Sequence, residues 1–271
     1  MLNQLAIAFV LSAIVVALAL WRGSLSGSGA VGALAIGTLT FGLGGWEWGI
    51  LLVIFFVSSS LLSHYKEEEK KKAAEKFDKG HRRDIGQVIA NGGLGACIAT
   101  LSAFVPGNVV PPSAWFFLFI GVMASVTADT WATELGTLSK RPPRLITTGR
   151  VVEVGTSGGI SPFGTAVSFL GGLVIGLTAG LITDFGILVT CIAGAIGGLV
   201  GSLIDSLLGA TVQRIYYSDT RNKETEKRYE NDGTPNRPLR GWAWMNNDMV
   251  NLLASIVGGL TAVFLRGLFT Q

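Results

Sequence analysis

Two aspartates, Asp129 and Asp205, each stand inside an apolar stretch of the sequence. If these stretches cross a membrane, an ionised carboxylate there costs several kcal/mol, so each is a candidate site residue. Two like charges at one depth repel each other unless a cation lies between them. Oxygen ligands without a nearby His or Cys suit Mg²⁺. We therefore expect Asp129 and Asp205 to hold Mg²⁺, with Glu134 and Asp248 as further acidic members of the catalytic site.

Amide and basic side chains recur at helical spacing near the same ends of the apolar stretches. Residues three or four positions apart lie on one face of a helix. The polar stripes are Arg83, Gln87 and Asn91; Ser202, Asp205, Gly209 and Gln213; and Asn247 and Asn251. Hydrogen bonding between membrane helices is the alternative reading of any single Asn or Ser. Together with the acids, the stripes predict a site that binds nucleotide and phosphate.

A glycine-rich turn at residues 155–161 supplies a second phosphate-binding element. Ser161 is expected to cap a helix whose first residue is Pro162, and a glycine-rich turn before a helix N-terminus binds anions. The chain has no GKS or GKT, so this turn is not a Walker loop. The expected phosphate contacts come from Thr156, Ser157, Gly158, Gly159 and Ser161, with Lys140, Arg141 and Arg144 nearby.

The composition indicates the elements that must position these groups. Of the 271 residues, 49% are hydrophobic and only 14% are charged, so lipid is expected to cover most of the surface. The 37 glycines allow helix backbones to approach closely inside a bilayer. We predict an all-α, polytopic transmembrane bundle that forms a single integral membrane domain over residues 1–271. The formal charge of +3 is too small to indicate a nucleic-acid partner.

Apolar windows predict about eight spans, or seven if the second window is re-entrant. The windows are 4–21, 28–44, 47–63, 86–105, 113–136, 162–183, 185–212 and 248–266. Polar stretches at about 64–85, 137–161 and 213–247 separate them. Within the first of these, the run from Lys66 to Lys79 is expected to be a solvated helix or loop without a catalytic role.

The basic residues predict the orientation in the membrane. With eight spans, the three polar stretches lie on one side, and of the 21 Lys and Arg residues only Arg266 falls on the other. Basic residues near span ends are retained in the cytoplasm. The loops are therefore expected to be cytoplasmic, with both termini on the opposite side.

Five sequence blocks resemble the transmembrane protein 19 family. They are residues 127–136 (TADTWATELG), 155–161 (GTSGGIS), 201–210 (GSLIDSLLGA), 244–251 (WMNNDMVN) and 87–92 (QVIANG). In plants and cyanobacteria this family includes the phytyl-phosphate kinase of tocopherol and phylloquinone synthesis. The resemblance implies transfer of a nucleotide γ-phosphate to an isoprenyl monophosphate lipid. The block around Asp129 is also similar to the acidic motif of CTP-dependent polyprenol and phytol kinases, which makes CTP, besides ATP, a candidate donor.

The sequence thus predicts a Mg²⁺-dependent, membrane-embedded isoprenyl-phosphate kinase with its site at the cytoplasmic face. A monophosphate acceptor is already ionised, so no general base is assigned. One alternative is a transporter whose buried acids bind a proton or cation beside a helix break at residues 91–93. The other alternative is a cytidylyltransferase that couples a lipid phosphate to CTP and releases pyrophosphate.

Overall fold

The computed structural model describes residues 2–74, 77, 82–230 and 232–269, with the backbone alone for residues 71–74. Lys76 and Lys79, from the charged run after the third span, lie outside the described residues. In the described part of the chain, eight helical segments are long and apolar enough to cross a membrane. The predicted helical membrane bundle is confirmed, and the second window forms a continuous helix rather than a re-entrant segment.

The spans follow the predicted windows closely. The helices are α1 (Leu2–Trp21), α2 (Gly27–Gly44), α3 (Trp46–His64), a short α4 (Glu67–Ala74), α5 (Ile85–Val88), α6 (Leu94–Phe104), α7 (Pro112–Gly136), α8 (Pro162–Ile182), α9 (Ile187–Thr211) and α10 (Asn247–Phe269). A π-helical turn, Ile89–Gly93, joins α5 to α6, and the three together form the fourth span. The backbone at Asn91 is therefore wound continuously, not broken as the transporter reading assumed.

Short strands in the polar stretches were not predicted. Strands β1 (Arg144–Leu145) and β2 (Gly159–Ile160) pair antiparallel, with Arg144 opposite Ile160. Strands β3 (Ile215–Ser218), β4 (Lys223–Thr225) and β5 (Arg237–Arg240) form an antiparallel sheet in the order β4-β3-β5. These pairings fold the second and third polar stretches back over the ends of the spans.

Helix α7 is the central element of the bundle. In its most apolar window 67% of the residues are buried, compared with 17% for α1. Its fully buried side chains include Phe117, Phe119, Ile120 and Met123, and it packs against α3, α6, α8, α9 and α10. Because Asp129 lies on this helix, the acid is carried by the most constrained span.

Glycines set the close packing of α7, α8, α9 and α10. A Cβ atom on Gly121 would lie 2.4 Å from the carbonyl oxygen of Gly258, and one on Gly172 would lie 2.5 Å from that of Gly194. Such spacing leaves no room for any larger residue. Backbones in direct contact supply van der Waals packing that lipid cannot replace, and they fix the positions of the polar residues at the helix ends.

We call the end of the bundle that carries residues 64–85, 137–161 and 213–247 the loop face. The connection between α1 and α2 and the polar stretch before the fourth span are joined there by backbone hydrogen bonds. Arg83 N–H donates to Ser24 O and Ser26 N–H donates to Arg83 O, each at 3.0 Å. The start of the fourth span is thereby fixed beside the start of α2.

Candidate functional site

A cavity of about 490 Å³ lies at the loop face, between the ends of α7, α8, α9 and α10 and the π-helical turn. We call it the polar cavity. Its wall includes the carboxyl groups of Asp129, Glu134, Asp205, Glu226 and Asp248. Fourteen of the predicted site residues contribute to this wall, and the following paragraphs place them and the four that do not.

The two intramembrane aspartates lie on α7 and α9 and are close enough to interact electrostatically. Both Asp129 and Asp205 line the polar cavity, and Asp205 is within electrostatic range of Asp129 and of Glu226. The Oδ2 atom of Asp205 is buried and has no hydrogen-bond partner, and the same is true of Oδ1 of Asn251. Unpartnered buried oxygens are costly, and these two are available to a ligand that carries positive charge or donates hydrogen bonds.

These oxygens form a partial set of ligands, which suits Mg²⁺ better than a metal ion whose ligands all come from the protein. In the described residues no group of three or more His, Cys, Asp or Glu side chains could hold a metal ion. Mg²⁺ is commonly bound through one or two carboxylates, with the remaining ligands from substrate phosphates and water. Asp129 and Asp205, with the amide oxygen of Asn251 nearby in the wall, match that partial donor set.

The glycine turn lies against the end of α9. Gly155 and Gly158 have φ angles of 80° and 85°, a region that favours glycine. A Cβ on Gly158 would lie 2.5 Å from the Cβ of Ala210. As predicted, Ser161 caps α8, because its Oγ accepts a hydrogen bond from Gly164 N–H at 3.0 Å, and Pro162 is the first helical residue.

The turn presents polar groups to the polar cavity. Its wall includes the predicted phosphate contacts Thr156, Ser157, Gly158, Gly159 and Ser161. The N-terminus of α8 begins directly behind them. A helix N-terminus after a glycine-rich turn stabilises negative charge, so this side of the cavity suits a phosphate.

Gln213 has a different position from the one predicted. It does not line the polar cavity; its side chain is 1% exposed and connects two loops behind the wall. Ser157 Oγ donates to Gln213 Oε1 at 2.5 Å, and Gln213 Nε2 donates to Glu226 Oε1 at 2.7 Å. Both of its amide atoms are therefore engaged in holding the glycine turn and the third polar stretch together.

Three predicted basic residues lie away from the wall. Lys140, Arg141 and Arg144 are exposed, and Arg144 Nη1 donates to Gly149 O at 2.8 Å. The pairing of β1 with β2 turns this part of the second polar stretch outward. Among the described residues, the basic side chains in the wall are instead Lys70, Arg83, Arg214 and Arg228.

Glu134 lines the polar cavity, and its carboxylate is engaged by Lys70. Lys70 Nζ lies 2.5 Å from Glu134 Oε2 and donates to Leu62 O and Ser63 O at 2.8 and 3.0 Å. Ser63 Oγ lies 2.7 Å from Glu134 Oε1. Lys70 is 4% exposed, so this member of the charged run is not a solvated side chain. The ion pair joins α4 to α7, and the two carbonyl contacts of Lys70 join α4 to the end of α3.

The stripe on the fourth span reaches the polar cavity as predicted. Arg83, Gln87 and Asn91 all line its wall. Arg83 Nη1 donates to Ser60 Oγ at 2.8 Å; burial lowers the pKa of its guanidinium, and the nearby Glu134 carboxylate partly opposes this change. Gln87 forms a capping box with Asp84. The π-helical turn, a feature frequent at functional sites, carries Asn91.

The start of α10 completes the wall. Asn247, Asp248 and Asn251 line the polar cavity, and Asn246 Oδ1 accepts a hydrogen bond from Met249 N–H at 3.0 Å. An acidic residue in the first turn of a helix is favoured by the helix dipole. Asp248 therefore lies at the loop face with the other predicted acids.

Besides several hydroxyl and amide residues, the sequence interpretation missed four charged residues and one tyrosine of the wall. They are Lys70, Arg214, Glu226, Arg228 and Tyr216. The β-favouring residues Ile215, Tyr216 and Tyr217 were a detectable strand signal. It would have indicated that the third polar stretch folds over the site. Nothing in the charged run distinguishes Lys70 from its neighbours.

Comparison with known proteins places the chain in a family. A family model described as integral membrane protein DUF92 matches residues 10–259. Protein PGR of Arabidopsis thaliana is 31% identical over 287 aligned residues, which cover 97% of each chain. The uncharacterized membrane protein MJ0933 of Methanocaldococcus jannaschii is 34% identical over 184 residues, or 68% of this chain and 62% of that protein.

A more distant relative is Protein VTE6, chloroplastic, of Arabidopsis thaliana. It is 26% identical over 253 residues, which cover 91% of this chain and 67% of that protein. This chain thus spans less than two thirds of the Methanocaldococcus protein. No solved structure matches this chain. The matched family model covers most of the residues that build the bundle and the polar cavity. The chain belongs to the integral membrane protein DUF92 family, and the resemblance drawn from its sequence blocks is confirmed.

Proposed function

We propose that this protein is a membrane-embedded kinase that transfers the γ-phosphate of a nucleoside triphosphate, CTP or ATP, to an isoprenyl monophosphate. The observation that carries the proposal is the polar cavity itself. It joins two aspartates, a glycine turn before a helix N-terminus, and several guanidinium groups at the membrane boundary. These are the elements that phosphoryl transfer requires, since its catalysis depends on positioning and charge neutralisation.

The family resemblance supports the same reaction. The blocks that carry it include Asp129, Asp205 and the glycine turn at residues 155–161, and these groups line one cavity. That family includes the plant and cyanobacterial phytyl-phosphate kinase. The resemblance and the geometry therefore favour one substrate class, an isoprenyl chain with a phosphate head group.

In the proposed reaction an oxygen of the acceptor monophosphate bonds to the γ-phosphorus of the nucleotide. The bond from that phosphorus to the β,γ-bridging oxygen breaks, and the nucleoside diphosphate leaves with the electron pair. The products are an isoprenyl diphosphate and CDP or ADP. The acceptor oxygen is already ionised, so the protein need not remove a proton.

Different residues of the wall are assigned to phosphate binding, charge neutralisation and metal binding. The glycine turn and the N-terminus of α8 stabilise charge on the phosphates, while Arg83, Arg214 and Arg228 neutralise the charge that develops during transfer. Asp129 and Asp205 would hold Mg²⁺ together with phosphate oxygens. When bound, Mg²⁺ supplies charge neutralisation and orients the triphosphate.

One assay on the purified protein tests the proposal. The protein in detergent receives Mg²⁺, CTP or ATP labelled in the γ-phosphate, and phytyl or geranylgeranyl monophosphate. We expect a labelled isoprenyl diphosphate and one equivalent of CDP or ADP. Omission of Mg²⁺ should abolish turnover, and restoring it should recover turnover.

The other functions give different products in the same assay. Release of pyrophosphate with a lipid-linked CMP would identify a cytidylyltransferase and contradict the kinase. No turnover with either nucleotide, together with uptake of the prenyl phosphate into liposomes, would identify a transporter. The continuous winding at Asn91 removes the helix break on which the transporter reading partly relied.

A further inference from the structure

A second, apolar cavity of about 270 Å³ lies within the membrane span of the bundle. We call it the apolar groove. It is bounded by α1, α2, α3 and the fourth span, and apart from Ser12 and its polar end its lining side chains are aliphatic or aromatic, with glycines between them. On α3 the lining runs from Phe56, near the loop face, to Trp46 at the opposite end. Ten residues of helix correspond to roughly 15 Å.

The apolar groove ends at the polar cavity. Arg83, Gln87 and Asn91 line both. Arg83 is the charged group at this junction: its side chain is 8% exposed, and its guanidinium carbon lies 5.5 Å from the ring centre of Phe56. A cation therefore stands where an apolar channel meets a site lined by phosphate-binding groups.

The apolar groove is also open to the side. Trp46, Ile50 and Val53 line it and are exposed by 58%, 38% and 40%. On a membrane-spanning helix, exposed aliphatic and aromatic side chains face lipid. A hydrophobic chain can thus enter sideways from the bilayer without crossing water.

We propose that the apolar groove binds the isoprenoid tail of the phosphate acceptor, with the acceptor phosphate at Arg83, Gln87 and Asn91. This inference rests on the proposed function and names the part of the protein that selects the substrate. The occupant must be amphiphilic, because one end of the groove is cationic and polar and the remainder is apolar. Because the tail comes from lipid, van der Waals packing against the lining side chains, and not removal from water, contributes to its binding.

The proposal changes the expected place of the tail. Without this groove, the isoprenyl chain would remain in bulk lipid and the enzyme would distinguish substrates by the head group alone. With it, the distance from the junction to the Phe41 and Trp46 rings at the far end sets how much of the chain the groove contacts. Those two rings are in edge contact, with centroids 4.6 Å apart.

Photolabelling tests the proposal independently of turnover. The purified protein in nanodiscs is irradiated with a geranylgeranyl monophosphate analogue that carries a diazirine at the end of the chain, and labelled peptides are mapped by mass spectrometry. We expect labels on the part of α3 between Trp46 and Val53 and on α1. Unlabelled geranylgeranyl monophosphate should compete for these labels.

A length series with matched variants sharpens the test. Ile50→Trp narrows the groove near its far end, whereas Val57→Trp makes the same change at a comparably exposed position on α3 outside its lining. In Ile50→Trp, the labelling by the geranylgeranyl probe that the unlabelled competitor can prevent should fall at least about tenfold. The corresponding labelling by a shorter geranyl probe should be unchanged. Val57→Trp should label as the parent protein does. Val53→Trp replaces Ile50→Trp if that variant does not fold.

The outcomes separate this inference from the proposed kinase. Labels spread over lipid-facing positions such as Leu260 and Phe264, insensitive to the competitor, would overturn the groove even if the kinase assay succeeds. The groove proposal would also be overturned if labelling by both probes fell equally in Ile50→Trp and Val57→Trp. Competable, length-dependent labelling without turnover would support tail binding while the kinase reaction fails.

Discussion

The central chemical feature at the scale of single residues is the pairing of Asp129 with Asp205. The two side chains reach one cavity from different helices, and a buried oxygen of Asp205 lacks any hydrogen-bond partner. An unpartnered carboxylate oxygen in the cavity wall is available to a ligand, and this is the basis for proposing a bound cation there.

Replacement of either aspartate tests this pairing. If the proposed function holds, Asp129→Asn and Asp205→Asn should each lower kinase turnover by at least about 100-fold, because each removes negative charge from the proposed Mg²⁺ position at nearly constant volume. Asp219→Asn is the control: Asp219 is exposed at the loop face and lies 3.7 Å from Arg237. Turnover is measured with Mg²⁺ and nucleotide, and folding by size exclusion. Activity near that of the parent would remove the altered residue from the site.

Among the contacts between helices, the buried pair of Lys70 and Glu134 joins α4 to α7. Lys70 contacts two carbonyl groups in the last turn of α3, where a helix dipole favours a positive charge. Glu134 balances that charge from α7. The pair thus closes one side of the polar cavity by joining three helices.

Removal of one partner should destabilise the protein more than loss of an exposed ion pair. Glu134→Gln or Lys70→Met leaves a buried charge unpaired, at a cost of about 3 kcal/mol. Glu69→Gln breaks the exposed pair with Lys66 and should cost less than about 1 kcal/mol. Thermal unfolding in detergent measures the difference. The double variant Lys70→Met, Glu134→Gln should lose less than the two single changes combined; additive losses would contradict coupling.

Helix packing through glycine allows a second comparison at this scale. In Gly121→Ala the new methyl group meets the Gly258 carbonyl oxygen, so we expect a loss of about 1–3 kcal/mol from overpacking. Gly267→Ala adds the same group where nothing lies within 4 Å, and should be neutral or stabilising by up to about 1 kcal/mol. Thermal unfolding distinguishes them. An equal stability of the two variants would show that α7 and α10 are not in close contact.

For the whole molecule, the eight spans bring every polar stretch to one end. The polar cavity draws on residues separated by most of the chain, from Ser63 to Asn251. Only an arrangement in which the loops after spans three, five and seven share a face can build it. The loop face also carries most of the Lys and Arg residues, which predicts that the loop face lies on the cytoplasmic side of the membrane.

Cysteine labelling tests this orientation. In a background with Cys97 and Cys191 replaced by Ala, a single cysteine is introduced at Thr147, on the loop face, or at Asn108, between α6 and α7; both residues are exposed. A membrane-impermeant maleimide should label Asn108→Cys in intact cells and Thr147→Cys only after permeabilisation. The reverse pattern would place the loops and the proposed active site outside the cytoplasm.

Much of the architecture followed from the sequence. Long apolar windows predicted the eight spans because a bilayer requires about 20 apolar residues to be crossed. Isolated acids within those windows identified Asp129 and Asp205 because their transfer into hydrocarbon is costly. The cap at Ser161 was predicted because capping depends on neighbouring residues alone.

Tertiary structure decided which of the many loop charges reach the site. Local pattern could not show that Lys70 turns inward to Glu134, that Gln213 lies behind the wall, or that Arg144 is carried outward by β1. It also could not reveal the apolar groove. Each of these depends on which side chains from distant parts of the chain meet once the spans have packed. Which side chains meet is set by close glycine contacts between helices and by the pairing of buried charges. Neither can be seen in the periodicity of a single segment.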